Sequence, residues 1–433
     1  MRLTLINQFY TPDISPTAHL CASLAEHRAA IGDDVTVLTS QTGYLAATSG
    51  GGASEGVRVR RLWSACMGSR TNLGRLLDWV TFYVPALWAA ATMPRQDMVI
   101  AMTTPPFVAL AGWIHKLLHP SARIVLWNMD VYPEALERTN LIAADGIVGR
   151  LMRSINRAIF RRLDGVVSLD GAMEHLLLSQ YMAPGRPLRH VVIPNWERLD
   201  LFPVEHASEA DDHATPAAPA IASANMPNRR FVVLYLGNAG FGHEFQTLID
   251  AADRLRDEPV EFLFVGGGAL RPWIAAQCEK RALANIVLQD YVPKDQTPSI
   301  MRGADCALIT LDRSMLGTMS PSKLHANLAM GLPILYVGPA GSNVDDAIRR
   351  FGCGASLRVG DADGFAEFLR RIMVDGQEHA ALRIRARNAF EERYCDEKSL
   401  AEFDAMIGYF ASGAVAVPTC QAPGLDPARS WGP

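Results

Sequence analysis

The chain has 433 residues, of which 49% are hydrophobic and 20% charged, with a formal net charge of −4. At roughly 150 residues per domain this length predicts two or three globular domains, and the composition excludes a disordered, collagen-like or coiled-coil chain. Lys and Arg (41) nearly balance Asp and Glu (45), so no basic surplus exists to neutralise a phosphodiester backbone, and nucleic acid is not an expected partner.

The opening residues, MRLTLINQFY, read as a short strand and a turn, without the apolar core and cleavage site of a secretory signal. Seven scattered cysteines with no C-x-x-C spacing suggest neither a zinc ribbon nor a disulfide framework, which fits a reducing cytoplasm. Short apolar runs at 2–6, 34–39, 98–102, 123–127, 165–169 and 190–194 alternate with helical patterns. Such runs predict parallel strands buried on both faces and a doubly wound α/β domain over 1–205. In the first helix Ser15 is the expected cap, Pro16 the first helical residue and Gly32 the stop.

Residues 74–93 are apolar and aromatic but interrupted by Asp78 and Pro85, which is short of a comfortable membrane span. Arg61, Arg70 and Arg75 surround Trp79, Phe82, Tyr83 and Trp88. That arrangement predicts a helix lying in a headgroup layer, with the protein peripheral to the inner face of the cytoplasmic membrane.

Residues 206–228, rich in Ala, Pro, Ser and Asp, read as a linker or exposed insertion. Strand runs then resume at 230–236, 261–265, 285–289, 306–311 and 333–337. They predict a second α/β domain over 229–395, followed by a C-terminal helix over 396–411 and a disordered tail over 412–433.

Two such domains form a cleft at the carboxyl ends of their strands, where ligands bind. There the loop GNAGFGHEF follows a strand and leads into a helix, with Gly237, Asn238, Gly240, Gly242 and His243 as candidate ligand contacts. Its G-x-x-G-x-G spacing is not the dinucleotide fingerprint. A second glycine loop, 266–268, adds Gly266 and Gly268. In MSPSKLHANLAMGLP, Ser320 is the expected cap and Pro321 the first helical residue, which places Ser322, Lys323 and Leu324 in the first turn. Lysine is disfavoured there unless it faces an anion, so this segment predicts a diphosphate site. Asp130 directly follows strand 123–127 and is the candidate group to orient or deprotonate an acceptor hydroxyl, with Glu134 four residues on. Pro12, Asp13 and Thr17 border the cleft from the first loop. Asp361 and Asp363 begin a late helix, where acidic residues suit the dipole, so they are not an expected metal site.

Taken together, the glycine loop, V-G-G-G, Y-V-P-K-D-Q, A-D-C-A-L-I and S-P-S-K-L…A-M-G-L-P-I resemble the C-terminal half of family 4 glycosyltransferases. N-Q-F-Y-T-P-D, T-T-P-P-F, W-N-M-D-V-Y-P-E and V-I-P-N-W-E resemble the N-terminal half, closest to the capsule, O-antigen and colanic-acid type. The resemblance covers about residues 1–411. It implies a GT-B fold, two Rossmann-like domains facing each other across a cleft, and a nucleotide-sugar donor, with UDP the expected nucleotide. It also implies retaining transfer with no cofactor or bound metal, onto a glycan or polyprenyl-linked acceptor. Two glutamates that many members carry are replaced by Thr318 and Ala326, and Met129 stands where many have a histidine. An epimerase of the same architecture and a non-catalytic nucleotide-sugar-binding partner are the alternatives.

Overall fold

The computed structural model describes residues 1–13, 15–41, 56–65, 72–183, 185, 188–202, 229–293 and 296–412. The expected linker at 206–228, nearly all of the 412–433 tail, and Arg70 lie outside the described residues, as does the side chain of Arg75.

The apolar runs become strands in chain order, each separated from the next by the helices that cover them. The first half is β1 (Arg2–Ile6), α1 (Pro16–Ala30), β2 (Asp34–Ser40), β3 (Val57–Leu62), α2 (Asn72–Thr92), β4 (Met98–Ala101) and α3 (Ala109–Leu118). It continues through β5 (Arg123–Trp127), α4 (Glu134–Arg138), α5 (Ile147–Phe160), β6 (Gly165–Ser168), α6 (Gly171–Tyr181) and β7 (Arg189–Val192). The second half begins with β8 (Phe231–Leu236), α7 (Gln246–Arg254), β9 (Val260–Val265), α8 (Arg271–Arg281), β10 (Ile286–Gln289), α9 (Thr297–Arg302) and β11 (Cys306–Thr310). It ends with α10 (Lys323–Ala329), β12 (Ile334–Val337), α11 (Asn343–Phe351), β13 (Gly354–Leu357), α12 (Ala362–Val374), α13 (Gly376–Ala389) and α14 (Asp396–Ser412).

Two parallel sheets result, ordered β3-β2-β1-β4-β5-β6-β7 and β10-β9-β8-β11-β12-β13. In each, the strand order reverses beside the domain's first strand, so the loops after β1, β4, β8 and β11 open onto a crevice at the strand ends. This is the GT-B arrangement.

Two strands carry no apolar run. β3, VRVRRL, is an edge strand with Arg58, Arg60 and Arg61 exposed, and β13, GASL, is half-buried at the opposite edge of its sheet. Edge strands need only one covered face, and charged side chains discourage further pairing there. In α1, Pro16 is the first residue and Gly32 has φ +97°, but the Ser15 hydroxyl bonds Thr17 Oγ1 at 2.9 Å instead of capping the helix.

The last helix leaves the second domain and completes the first. Phe403 of α14 is fully buried, with ring centroids 4.6 Å from Trp127 and 5.6 Å from Trp196. Phe410 lies over Gly165, where an added Cβ would come within 2.3 Å of its ring. Asp404 accepts from Arg28 and pairs with His27, both at 2.8 Å. The chain thus crosses between domains twice.

On α2 the aromatic residues do not share one outward face. Phe82 is fully buried, the Tyr83 hydroxyl is buried, and Trp79 is half-buried. The exposed stripe is Leu77, Val80, Val84 and Trp88, the last two 69% and 71% exposed. No helix among the described residues is long and apolar enough to cross a membrane.

Candidate functional site

The two glycine loops of the second domain lie against each other. Gly237, Gly266 and Gly268 have φ between +124° and +136°. A Cβ at Gly266 would stand 2.3 Å from the Gly237 carbonyl oxygen, and one at Gly268 would stand 2.5 Å from the Ala239 backbone. Ala239 N–H donates to the Gly267 carbonyl at 2.7 Å, closing the pair. The close approach that requires glycine at 266 and 268 is therefore loop to loop. Gly240 has an ordinary backbone beside the exposed Asn238, and Gly242 faces Met319, whose Sδ would be 2.7 Å from an added Cβ. Gly242 is thus covered by the protein's own side chain and is not open to phosphate.

The loop does not run directly into a helix. α7 begins at Gln246, and Glu244 Oε1 accepts the Thr247 N–H at 2.9 Å. The helix start expected to hold an anion is already filled by a carboxylate, which satisfies the same orphan N–H and the same dipole.

The anion-binding feature that remains is Lys323. Its Nζ lies 3.3 Å from His243 Nε2 and 5.0 Å from the centre of the Tyr235 ring. It has no carboxylate partner among the described residues. His243 Nδ1 lies 2.7 Å from the Thr310 carbonyl, which can only accept, so Nδ1 carries the proton and Nε2 offers a lone pair to the lysine. Burial, with the Lys323 charge beside it, pushes His243 down to about 3, so the ring is neutral. Desolvation pulls Lys323 down to about 8. A half-buried ammonium with only neutral neighbours is costly until an anion meets it. Its stem passes Gly237, where a Cβ would be 3.1 Å from Lys323 Cε, so this glycine is needed at the site itself.

The flanking segment differs from expectation. α10 starts at Lys323 with Ser322 as cap, two residues later than the Ser320–Pro321 signal suggests, and has seven residues. Met319 forms an antiparallel bridge with Asp130 of the other domain, which holds this residue out of the helix. Ser320 stands near the Asp170 carboxyl of the other domain and favours its charged form, and Ser322 is exposed. Leu324 is fully buried in the core of its domain and its N–H lies 3.4 Å from the Pro321 carbonyl. Leu324 is therefore closed to a ligand, whereas Ser320 is half-buried.

Across the cleft, Asp130 is half-buried at the end of β5. Its N–H and that of Met129 donate to Thr103 Oγ1 at 3.1 and 3.0 Å. Its carboxylate has no hydrogen-bond or ion-pair partner among the described residues, and desolvation pushes it up to about 6. A cavity of about 20 Å³ behind it, lined by Thr103, Phe107, Asn128 and Tyr132, has room for one water. A desolvated, unpaired carboxylate near neutrality is suited to accept a hydroxyl proton.

Its expected companions point elsewhere. Glu134 is buried, accepts the Tyr181 hydroxyl at 2.6 Å and pairs with Arg153 at 3.4 Å, so it ties α4 to α5 and α6. Asp13 is 2% exposed and accepts the Tyr10 N–H at 3.2 Å, which makes it a turn-forming group out of reach of a ligand. Pro12 and Thr17 are half-buried in the same loop. Asp361 caps α12 through the Gly364 N–H, and Asp363 pairs with Arg254. Asp170 was not singled out from the sequence, although like Asp130 it directly follows a strand run. It caps α6 and burial pushes it up to about 6.

Two family matches fit this geometry. Residues 17–196 match the family described as "Glycosyl transferase 4-like domain", and residues 230–375 match "Glycosyl transferases group 1". The chain belongs to the family 4 glycosyltransferases. Among curated proteins it is similar to the putative colanic acid biosynthesis glycosyl transferase WcaI of Escherichia coli. The two are 26% identical over 76% of this chain and 82% of WcaI. Among solved structures it is similar to sucrose-phosphate synthase from Thermosynechococcus elongatus (TM-score 0.70, 16% identity, 95% and 99% of the two chains). Anabaena HepE in complex with UDP and glucose has TM-score 0.63 and 14% identity over 94% and 99%. In this glycosyltransferase Thr318 is fully buried, its hydroxyl donating to the Met315 carbonyl at 2.7 Å, and Met129 lies in the core.

Proposed function

We propose that this glycosyltransferase moves a sugar from a nucleoside-diphosphate sugar, with UDP as the nucleotide, onto a glycan or lipid-linked acceptor with retention, in assembly of a cell-surface polysaccharide. The observation that carries the reading is Lys323, a desolvated cation with no carboxylate partner among the described residues, beside His243 and Gly237 and four residues beyond the Met319 that bridges Asp130. As the sugar–phosphate bond breaks, charge grows on the diphosphate, and a preplaced ammonium in a dry site stabilises it. Asp130 orients or deprotonates the acceptor hydroxyl. The UDP held by HepE and the colanic-acid assignment of WcaI support donor and pathway class. UDP is expected to raise the apparent melting temperature, since a ligand at 100 times its Kd stabilises by about 2.7 kcal/mol. Turnover of UDP-sugars with a polyprenyl-linked acceptor should yield a product with the donor's anomeric configuration by NMR. Isomerised donor sugar without acceptor would favour the epimerase, and binding without turnover the non-catalytic partner.

Membrane attachment belongs to the same proposal and rests on the outer helical layer of the first domain. The α2 stripe lies beside α3, which packs on α5, and there Ile147, Val148 and Leu151 are exposed near Arg150, Arg157 and Arg161. Those three arginines have no carboxylate partner among the described residues. Each basic residue near an anionic surface contributes about 1 kcal/mol, screened by salt. Sedimentation with anionic vesicles should show partial binding that falls with added salt, and Val84→Ser with Trp88→Ser should reduce it further. Retention through a carbonate wash would overturn peripheral attachment.

A further inference from the structure

The segment between β11 and α10 leaves its own domain and lies on the other one. It departs where Asp312 N–H donates to the Gly242 carbonyl at 2.9 Å, and Met315 anchors it in the second core. The next five residues all meet the first domain. Arg138 Nη1 donates to the Leu316 carbonyl at 2.8 Å. Gly317, at φ +77°, sits where a Cβ would be 2.7 Å from the Ala172 carbonyl oxygen. Val131 N–H donates to the Thr318 carbonyl at 2.9 Å, Met319 bridges Asp130, and Ser320 stands near the Asp170 carboxyl. The Met319 side chain turns back onto Gly242, and Lys323 follows three residues after Ser320.

We propose that residues 312–320 form an interdomain clasp that sets Asp130 opposite Lys323, and that Arg138 is the positioning residue that latches it. One segment of turns thus pairs with the backbone of Asp130 through Met319 and leads into the donor-side helix three residues after Ser320. The latch is charged because it must hold a carbonyl with no partner of its own in a turn. Arg138 reaches that carbonyl from α4 while Glu134 and Glu137 stand beside its guanidinium. Hydrogen bonds to a charged group are stronger than neutral ones, and loss of the donor leaves the carbonyl unsatisfied. The catalytic consequence rests on the donor and acceptor roles proposed above, whereas the clasp itself does not.

The test is amide hydrogen exchange on the unliganded full chain, followed by transfer kinetics with a UDP-sugar. Arg138→Ala should speed exchange about tenfold in peptides spanning 126–134 and 312–322 and leave β8 and β9 unchanged. UDP affinity should stay within about twofold, while kcat for transfer should fall about tenfold or more with little change in donor KM. Arg138→Lys should restore part of both losses. Gly317→Val attacks the clasp from the opposite side and should reproduce the local exchange. Unchanged exchange in both variants would overturn the clasp, and raised exchange with full transfer would overturn its role in positioning Asp130. If exchange rises throughout β8 and β9, Arg138→Lys and Gly317→Val decide. Failure of the wild type to bind UDP would count against the donor reading alone.

Discussion

Asp130→Asn is expected to reduce glycosyl transfer by about 10²- to 10⁴-fold, the usual contribution of a positioned acid–base group, while nucleotide affinity stays near wild type. The substitution keeps the backbone donors to Thr103 and the bridge to Met319, which do not involve the side chain. It removes only the carboxylate that burial has pushed up to about 6. Transfer by the wild type should accordingly decline as pH drops below about 6, where Asp130 becomes protonated and can no longer accept a proton. The stability effect has the opposite sign. A carboxyl whose folded value is raised favours the folded state at low pH, and that advantage is lost as pH rises from its ordinary value, about 4, through about 6. At pH 7 Asp130→Asn therefore relieves a cost, and its melting temperature should equal or exceed that of the wild type. A slow but more stable variant is the signature of a group held for function. A variant with full kcat between pH 6 and 8 would remove Asp130 from the mechanism.

Lys323→Met should cost about 1.5–3 kcal/mol of nucleotide binding, or about 10- to 150-fold in Kd, as a lost charge-assisted contact. Methionine keeps the apolar stem that passes Gly237 and Tyr235, so the change tests the charge more than the packing. Because Lys323 is pulled down to about 8, the wild type should lose UDP affinity as pH rises past 8. An anion at the ammonium restores its proton, so binding near pH 8.5 should take up protons. Calorimetry in buffers of different ionisation enthalpy would detect this. Here too the unliganded stability runs the other way. The folded state penalises the charged lysine fully below about 8, and the penalty fades as pH rises to its ordinary value near 10.4. Lys323→Met should therefore not destabilise the unliganded protein at pH 7. Unchanged UDP affinity across pH 7–9.5 in both proteins would show that the diphosphate sits elsewhere.

The amino-acid sequence by itself determined the two-domain plan. Strands buried on both faces of a parallel sheet must be apolar throughout, so β1, β5, β8 and β11 are legible without any partner in view. It also singled out Asp130, just beyond such a strand, and Lys323, in the first turn of a helix, as the charged candidates at the open ends of the sheets. Decisions that depend on residues far apart in the chain were left to the tertiary structure. β3 and β13 lack an apolar run because an edge strand is covered by one neighbour only. The start of α10 moved to Lys323 because Met319 pairs with Asp130, nearly two hundred residues earlier, and that pairing outweighs a local cap at Ser320. Glu134 faces Tyr181 and Arg153 instead of the cleft, since a buried carboxylate goes where a donor and a cation await it. Which side of α2 meets solvent, and the return of α14 to the first domain, were likewise set by packing. Local propensity costs a few tenths of a kcal/mol per residue, whereas burying one Phe403 outweighs several such preferences.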